Sequence, residues 1–264
     1  MRPLWAQRSG GSRKRGGPQM KPQVVAHRGS SAAHPENSWA AFEAAVADGA
    51  DAIECDVQST RDGVLVIRHD LAVGNRPVAE CSIAELETTE PDLVRFADLL
   101  AWAPRAKIGL LVEIKDPDFA VAIGDLVASS AWRERIVVGA FHGPALAALK
   151  ARAPQISTSL MIGSVVAAAD LVQVARAYGA DGVHPCWEAR APQPHRLLDT
   201  AAITLLRKAG LAVTLWHEER ERELRALVAL CPDAICTNTP AVLRRIVDRH
   251  ASRAMTQEVA ASGR

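Results

Sequence analysis

The sequence predicts an α/β chain folded as one (β/α)8 barrel, and three observations carry that prediction. From residue 23 onward, short apolar runs alternate with Ala/Leu-rich helical patterns. Eight of those runs have strand length and mostly alternate with helices, and 264 residues suit one large barrel-type domain. A doubly wound sheet would share the alternation, but no Gly-x-Gly-x-x-Gly turn follows the first strand. The barrel domain is expected over 22–250, between a disordered basic extension (1–21) and a flexible tail (251–264).

The first strand covers 23–28 and ends in Val-Val-Ala-His-Arg-Gly (24–29). A helix over 39–47 follows. Asn37 and Ser38 can cap its start, and Phe42, Ala45 and Val46 share one face at i, i+3, i+4. The second strand, 51–57, contains Ala-Ile-Glu-Cys-Asp-Val. Only Thr60-Arg61-Asp62-Gly63 separates it from Val64–His69, too short for a parallel crossover but suited to a tight hairpin. An extra hairpin strand is therefore expected after strand 2. With Asp62-Gly63 at the centre of the turn, Asp56 faces His69; with Arg61-Asp62 there, Glu54 faces it. The remaining strands are predicted at 108–115, 135–141, 156–162, 181–184, 211–216 and 233–237. Helices are expected at 120–129, 144–152, 165–178, 201–208, 219–230 and 241–249. Gly49, Gly179 and Gly210 sit where left-handed C-cap residues belong.

Composition narrows the function. Net charge is +1 and aromatic content 4%, which argues against a nucleic-acid binder. Arg2, Arg8, Arg13, Lys14, Arg15 and Lys21 concentrate positive charge in the extension without an acid, so the rest of the chain is acidic. That extension lacks the apolar core of a signal peptide and reads as an unstructured arm. The five cysteines (55, 81, 186, 231 and 236) form no Cys-x-x-Cys pair or zinc spacing, which fits buried thiols in the cytoplasm. Strand alternation turns Cys55 away from its neighbours Glu54 and Asp56. No run approaches the length of a transmembrane helix, so no stable membrane insertion is expected.

The chemistry gathers at strand ends, where charged groups are costly to bury without compensation. Glu54 and Asp56 share one strand face, as do Glu113 and Lys115 in Leu-Leu-Val-Glu-Ile-Lys. In a barrel these ends meet at the mouth. Three converging carboxylates call for a hard cation, Mg²⁺ or Ca²⁺, while a salt-bridge cluster around Lys115 is the simpler alternative. His27 and His69 can exchange protons near neutral pH, and Arg28 suits phosphate oxygens. Together these groups describe a phosphodiester-cleaving site.

In order and spacing, the set His27-Arg28-Gly29, Pro35-Glu36-Asn37, Glu54-x-Asp56, His69-Asp70 and Glu113-x-Lys115 resembles the glycerophosphodiester phosphodiesterase family. The resemblance extends over 23–248, including the Trp216 strand and the Asp233–Pro240 segment. It implies a TIM barrel hydrolysing small-molecule glycerophosphodiesters to sn-glycerol 3-phosphate and an alcohol, in glycerol and lipid metabolism. The substrate's own hydroxyl would attack phosphorus, and water would then open the cyclic phosphate. His27 and His69 would be the acid–base pair, with Glu54, Asp56 and Glu113 as metal ligands. Arg28 and Lys115 would hold the phosphate, Glu36 would orient the site through Arg28, and Trp216 would wall the glycerol or alcohol side.

Three segments depart from the family pattern. Leu-Ala-Val-Gly-Asn-Arg (71–76) replaces a Thr-Leu-x-Arg-Thr-Thr-like stretch, and Ser38 replaces Thr. Trp216-His217-Glu218-Glu219 replaces Trp-Thr-Val-Asn. Two other readings stay open: phospholipase-D-like action on lysophospholipids, which needs an apolar lip within 70–98, and a silent barrel that binds phosphorylated ligands. His34, His142, His184 and His217 fall near the expected mouth; His34 and His217 could touch substrate, but ordinary polar loop roles are the expectation. Trp5, Trp39, Trp102, Trp132 and Trp187 read as packing or surface aromatics.

Overall fold

The computed structural model describes residues 21–185 and 191–262. The extension before Lys21 with Trp5, the Cys186–Trp187 pair and residues 263–264 lie outside the described residues. Eight parallel strands form the ring. They are β1 (Gln23–His27), β2 (Ala52–Ser59), β3 (Gly109–Ile114), β4 (Ile136–Ala140), β5 (Ser157–Ile162), β6 (Gly182–Pro185), β7 (Ala212–Leu215) and β8 (Ala234–Thr237). Each pairs with its neighbour and β8 returns to β1, so the barrel closes as the alternation predicts.

Strand alternation sorts the side chains into two layers. On β2, Ile53, Cys55 and Val57 face outward into the main core shared with the helices. Ala52 faces inward, joining Val25, Leu111, Val137, Ala234 and Cys236 in an apolar plug inside the ring. Two residues further along each strand, the inward positions become His27, Glu54 and Glu113, and the next on β2 is Asp56. The plug is thus the floor of the polar mouth. Cys55, Cys81, Cys231 and Cys236 are buried.

The helices are α1 (Trp39–Ala47), α2 (Ile83–Thr89), α3 (Phe96–Ala106), α4 (Ala120–Ser129), α5 (Gly143–Arg152), α6 (Ala168–Ala177), α7 (Thr200–Lys208), α8 (Glu221–Ala229) and α9 (Pro240–Ser262). Among the described residues no helix is long and apolar enough to cross a membrane. The helix expected over 241–249 continues to Ser262 as α9. Helices α2 and α3 are additions to the expected set, although both leave sequence signals. Ser82 and Glu85 form a capping box, and Phe96, Leu99, Leu100 and Ala103 bury one helical face. The left-handed geometry expected of Gly49, Gly179 and Gly210 is present. Trp39 packs edge-on against Phe42 and Trp102, and Trp132 Nε1–H donates to the Ile108 carbonyl.

The hairpin forms, but in neither expected register. Val57 faces Ile67 and Ser59 faces Leu65. The loop holds three residues, Arg61–Gly63, closed by Thr60 N–H donating to the Val64 carbonyl, with Gly63 at φ +79°. That third residue shifts the pairing by one. Arg68 therefore lies beside Asp56, donating its N–H to the Asp56 carbonyl at 2.9 Å, and His69 falls one position beyond. β2 outruns β1 toward the mouth, since β1 ends opposite Glu54. The strand Leu65–Ile67 pairs with β2 at Val57–Ser59, past that point, and Val94–Arg95 adds to its far side.

Immediately after β1 the chain turns sharply, with Arg28 at φ +56° and Gly29 at φ +85°. A side chain at Gly29 would place its Cβ 2.7 Å from the backbone and Cβ of Ala41 in α1. Gly29→Ala is expected to cost at least about 2 kcal/mol, combining left-handed strain with overpacking. Urea unfolding would measure it; a loss below about 0.5 kcal/mol, ordinary for a surface substitution, would contradict this account of the turn.

Candidate active site

Register builds the site. Between β1 and β2 it sets His27 beside Glu54, and between β2 and β3 it sets Asp56 beside Glu113. Glu54, Asp56 and Glu113 are 0%, 0% and 2% exposed, yet each offers a carboxylate oxygen within 4.8 Å of the others. Two fixed cations answer three carboxylates. Lys115 Nζ lies 2.8 Å from Glu113 Oε1 and 3.2 Å from Asp56 Oδ1, while Arg28 Nε lies 3.2 Å from Asp56 Oδ2. Glu54 Oε2 accepts the Arg28 backbone N–H at 3.1 Å, but Glu54 Oε1 is buried without a partner.

This imbalance raises the pKa values of Glu54 and Glu113. Burial, followed by repulsion from Asp56 and Glu113, holds Glu54 well above the usual carboxylate range. Burial and Asp56 also raise Glu113, against the opposing pull of Lys115. The donor set therefore fits a hard divalent cation: three clustered carboxylates, one carrying an orphaned buried oxygen.

His27 is held on several sides. Its Nδ1–H donates to Asn238 Oδ1 at 2.7 Å, leaving Nε2 as the lone-pair nitrogen, 3.9 Å from Glu54 Oε2. The Ser31 hydroxyl donates to the His27 carbonyl. Trp216 meets the imidazole edge-on at 5.3 Å, and His217 stacks on it at 4.4 Å. Burial, then His217 and Arg28, depress the His27 pKa well below the ordinary histidine value, so the ring is neutral.

His69 reaches the mouth from the hairpin side. Its Nδ1 contacts Asp70 Oδ1 at 3.0 Å, and with Glu113, Lys115, Leu71, Phe141 and His142 it lines a cavity of about 770 Å³. The Gln58 amide donates to the carbonyls of Arg68 and Asp70, holding the backbone around His69. Arg28 bridges Glu36 (2.8 Å) and Asp56. Trp216 stands between His27 and Phe141. His184 is fully buried against Trp216, near enough to His27 to help lower its pKa, and burial pushes its own pKa down to about 3. His34 is exposed, its backbone N–H donating to the Ser30 carbonyl, whereas His217 stacks directly on His27.

Sequence reasoning passed over several contributors. Asn37, offered as a helix cap, instead donates its amide to Asp56 Oδ2 at 2.9 Å, and Ser38 alone accepts from Ala41 N–H. Its left-handed backbone (φ +56°) in the Pro-Glu-Asn turn was the available signal. Gln58 continues the inward alternation of Glu54 and Asp56. Asn238, at the end of β8, had no local signal, because its partner His27 is 211 positions away.

The chain is similar to known proteins in sequence and in fold. A sequence model described as the Glycerophosphoryl diester phosphodiesterase family matches residues 27–242. A Mycobacterium tuberculosis protein named as a probable glycerophosphodiester phosphodiesterase 1 is 32% identical over 238 residues, covering 77% of this chain and 84% of its own. The glycerophosphodiester phosphodiesterase of Caldanaerobacter subterraneus is 26% identical over 250 residues, covering 86% and 98%. Among solved structures, the Thermotoga maritima glycerophosphodiester phosphodiesterase shares the fold at TM-score 0.71 and 20% identity, covering 86% and 99%. An Oleispira antarctica phosphodiesterase, solved with its product sn-glycerol-3-phosphate, matches at TM-score 0.71 and 21% identity, covering 86% and 97%.

The raised Glu54 pKa has a measurable sign. Its stabilising contribution as a neutral acid is complete near the unfolded value and is lost as pH climbs through the raised folded value. In EDTA, the melting temperature of the wild type should therefore fall relative to that of Glu54→Gln as pH rises from about 5 to 8. A constant difference across that range would show Glu54 to be ionised throughout.

Proposed function

Because the chain belongs to the glycerophosphoryl diester phosphodiesterase family, we propose that it hydrolyses glycerophosphodiesters to sn-glycerol 3-phosphate and an alcohol. One observation carries the reading: β1, β2 and β3 bring a histidine and three carboxylates into register at one mouth. Glu54, Asp56 and Glu113 would hold the divalent cation, Mg²⁺ or Ca²⁺. When bound, it supplies charge neutralisation to the phosphoryl oxygens.

Arg28 and Lys115, both fixed by carboxylates, hold the phosphate and offset its developing charge. Glu36 steers Arg28. His27 enters the cycle as base, since its Nε2 carries the lone pair, and takes the proton of the attacking glycerol hydroxyl. His69 protonates the leaving alcohol oxygen. In the second step the two exchange roles: His69 takes a proton from water and His27 returns one to the glycerol oxygen. Trp216 and Phe141, 6.1 Å apart, wall the pocket.

A lysophospholipid substrate is the second reading. Leu71 and Phe141 are 64% and 48% exposed while lining the same cavity as His69, an apolar lip that an acyl chain could cover.

A coupled assay for glycerol 3-phosphate, with glycerophosphocholine or glycerophosphoethanolamine and with Mg²⁺, Ca²⁺ or EDTA, tests the proposal. Turnover should require the cation, and Glu54→Ala/Asp56→Ala should abolish it; turnover surviving both would sink the metal assignment. His69→Ala should lower kcat by at least about 10²-fold, the scale of a positioned acid–base group. A near-wild-type rate would refute that role. Lysophosphatidylcholine as substrate decides the second reading, and no turnover of any phosphodiester would leave only a silent barrel.

A further inference from the structure

The segment where this chain departs from the Trp-Thr-Val-Asn pattern, Trp216-His217-Glu218-Glu219, lies against His27. His217 stacks on the His27 imidazole with ring centroids 4.4 Å apart and planes 22° from parallel. Its Nδ1–H donates to Glu219 Oε1 at 2.9 Å. The same Glu219 oxygen accepts the Asn238 backbone N–H at 3.0 Å, and Asn238 Oδ1 accepts from His27 Nδ1–H at 2.7 Å. These contacts form a closed circuit. It leaves His27 through the side chain of Asn238, passes through Glu219 to His217, and returns to His27 by stacking.

We propose that His217, anchored by Glu219, is a positioning residue for His27, fixing its ring plane and the direction of its Nε2. The inference rests on the acid–base role proposed above for His27. A stacked imidazole constrains rotation about χ2, the soft terminal torsion of histidine. The hydrogen bond at Nδ1 alone leaves the ring free to tilt about that contact, and the stack removes this freedom. Glu219 unites both restraints because one oxygen serves His217 and Asn238 together. Burial opposes its charge, but the His217 side chain and the Asn238 N–H outweigh it and keep the carboxyl below the ordinary range. Glu219 is accordingly an ionised acceptor for both donors. To hold this geometry Glu219 stays outside α8, which begins at Glu221, although the sequence pattern runs the helix from 219.

The test uses the full chain with a divalent cation, glycerophosphocholine as substrate, and His217→Ala, His217→Phe and Glu219→Ala. Two readouts are taken: kcat and KM, and the His27 tautomer by ¹⁵N NMR of labelled histidine. His217→Ala should lower kcat roughly tenfold or more while KM stays within about twofold, as misplacement of a reacting group does. The single Nδ1–H tautomer of His27 should give way to a mixture. His217→Phe, which keeps the stack without the hydrogen bond, should restore most of both. Wild-type kcat and tautomer in His217→Ala would overturn the proposal, and so would a His217→Phe variant as impaired as His217→Ala. A raised KM with unchanged kcat would overturn it too, making His217 a substrate contact. If His217→Ala does not fold, Glu219→Ala, which removes the shared acceptor, decides by the same readouts: a lowered kcat with a mixed tautomer supports the circuit, and wild-type behaviour overturns it. Should the wild type turn over no glycerophosphodiester while the tautomer still responds to His217→Ala, the reaction assignment fails and the positioning stands.

Discussion

Three carboxylates share one small buried volume at the ends of β2 and β3, and most features of the mouth are answers to that fact. A buried carboxylate without compensation is expensive, and three together repel one another as well. Arg28 and Lys115 supply two of the compensating charges, while Asn37 and the Arg28 N–H supply neutral hydrogen bonds. Even so, Glu54 Oε1 keeps no partner. A proton or a cation would relieve this arrangement, and the cluster that is an electrostatic burden also has the donor set to hold a metal ion.

The turn after β1 shows how backbone geometry serves the cluster. Two successive left-handed residues, Arg28 and Gly29, reverse the chain directly over the N-terminal part of α1. The reversal aims the Arg28 N–H at Glu54 and its guanidinium at Asp56, and it brings the Pro-Glu-Asn turn close enough for Asn37 to reach Asp56. A residue in left-handed conformation stores strain, and here the charge network around Arg28 holds it in place. On the opposite side, Asn238, Glu219 and His217 perform the corresponding task for His27. The two acid–base candidates are supported differently: His27 by a circuit of side chains, His69 by Gln58 gripping its backbone.

Much of this was legible before folding. Period-two alternation alone places Glu54 with Asp56, Glu113 with Lys115, and Cys55 on the far side. Alternating strands and helices of the right number, with no Gly-x-Gly-x-x-Gly turn after the first strand, point to a barrel, and a barrel gathers its strand ends at one mouth. The hairpin was also visible, but its register was not, because one additional loop residue shifts every pair by one. The turn sequence Arg-Asp-Gly fits both two- and three-residue loops; the outcome depends on Thr60 closing onto Val64.

The sequence by itself therefore determined the strand faces, the closed barrel and the chemical character of the mouth, since these follow from local periodicity and residue type. Tertiary structure decided which groups touch. His27 meets Asn238 across 211 positions, Trp216 and His217 meet it from β7, and Asn37 turns from capping a helix to holding Asp56. No local pattern encodes such contacts, because they depend on ring closure and on strand registers that are settled only when the whole barrel packs.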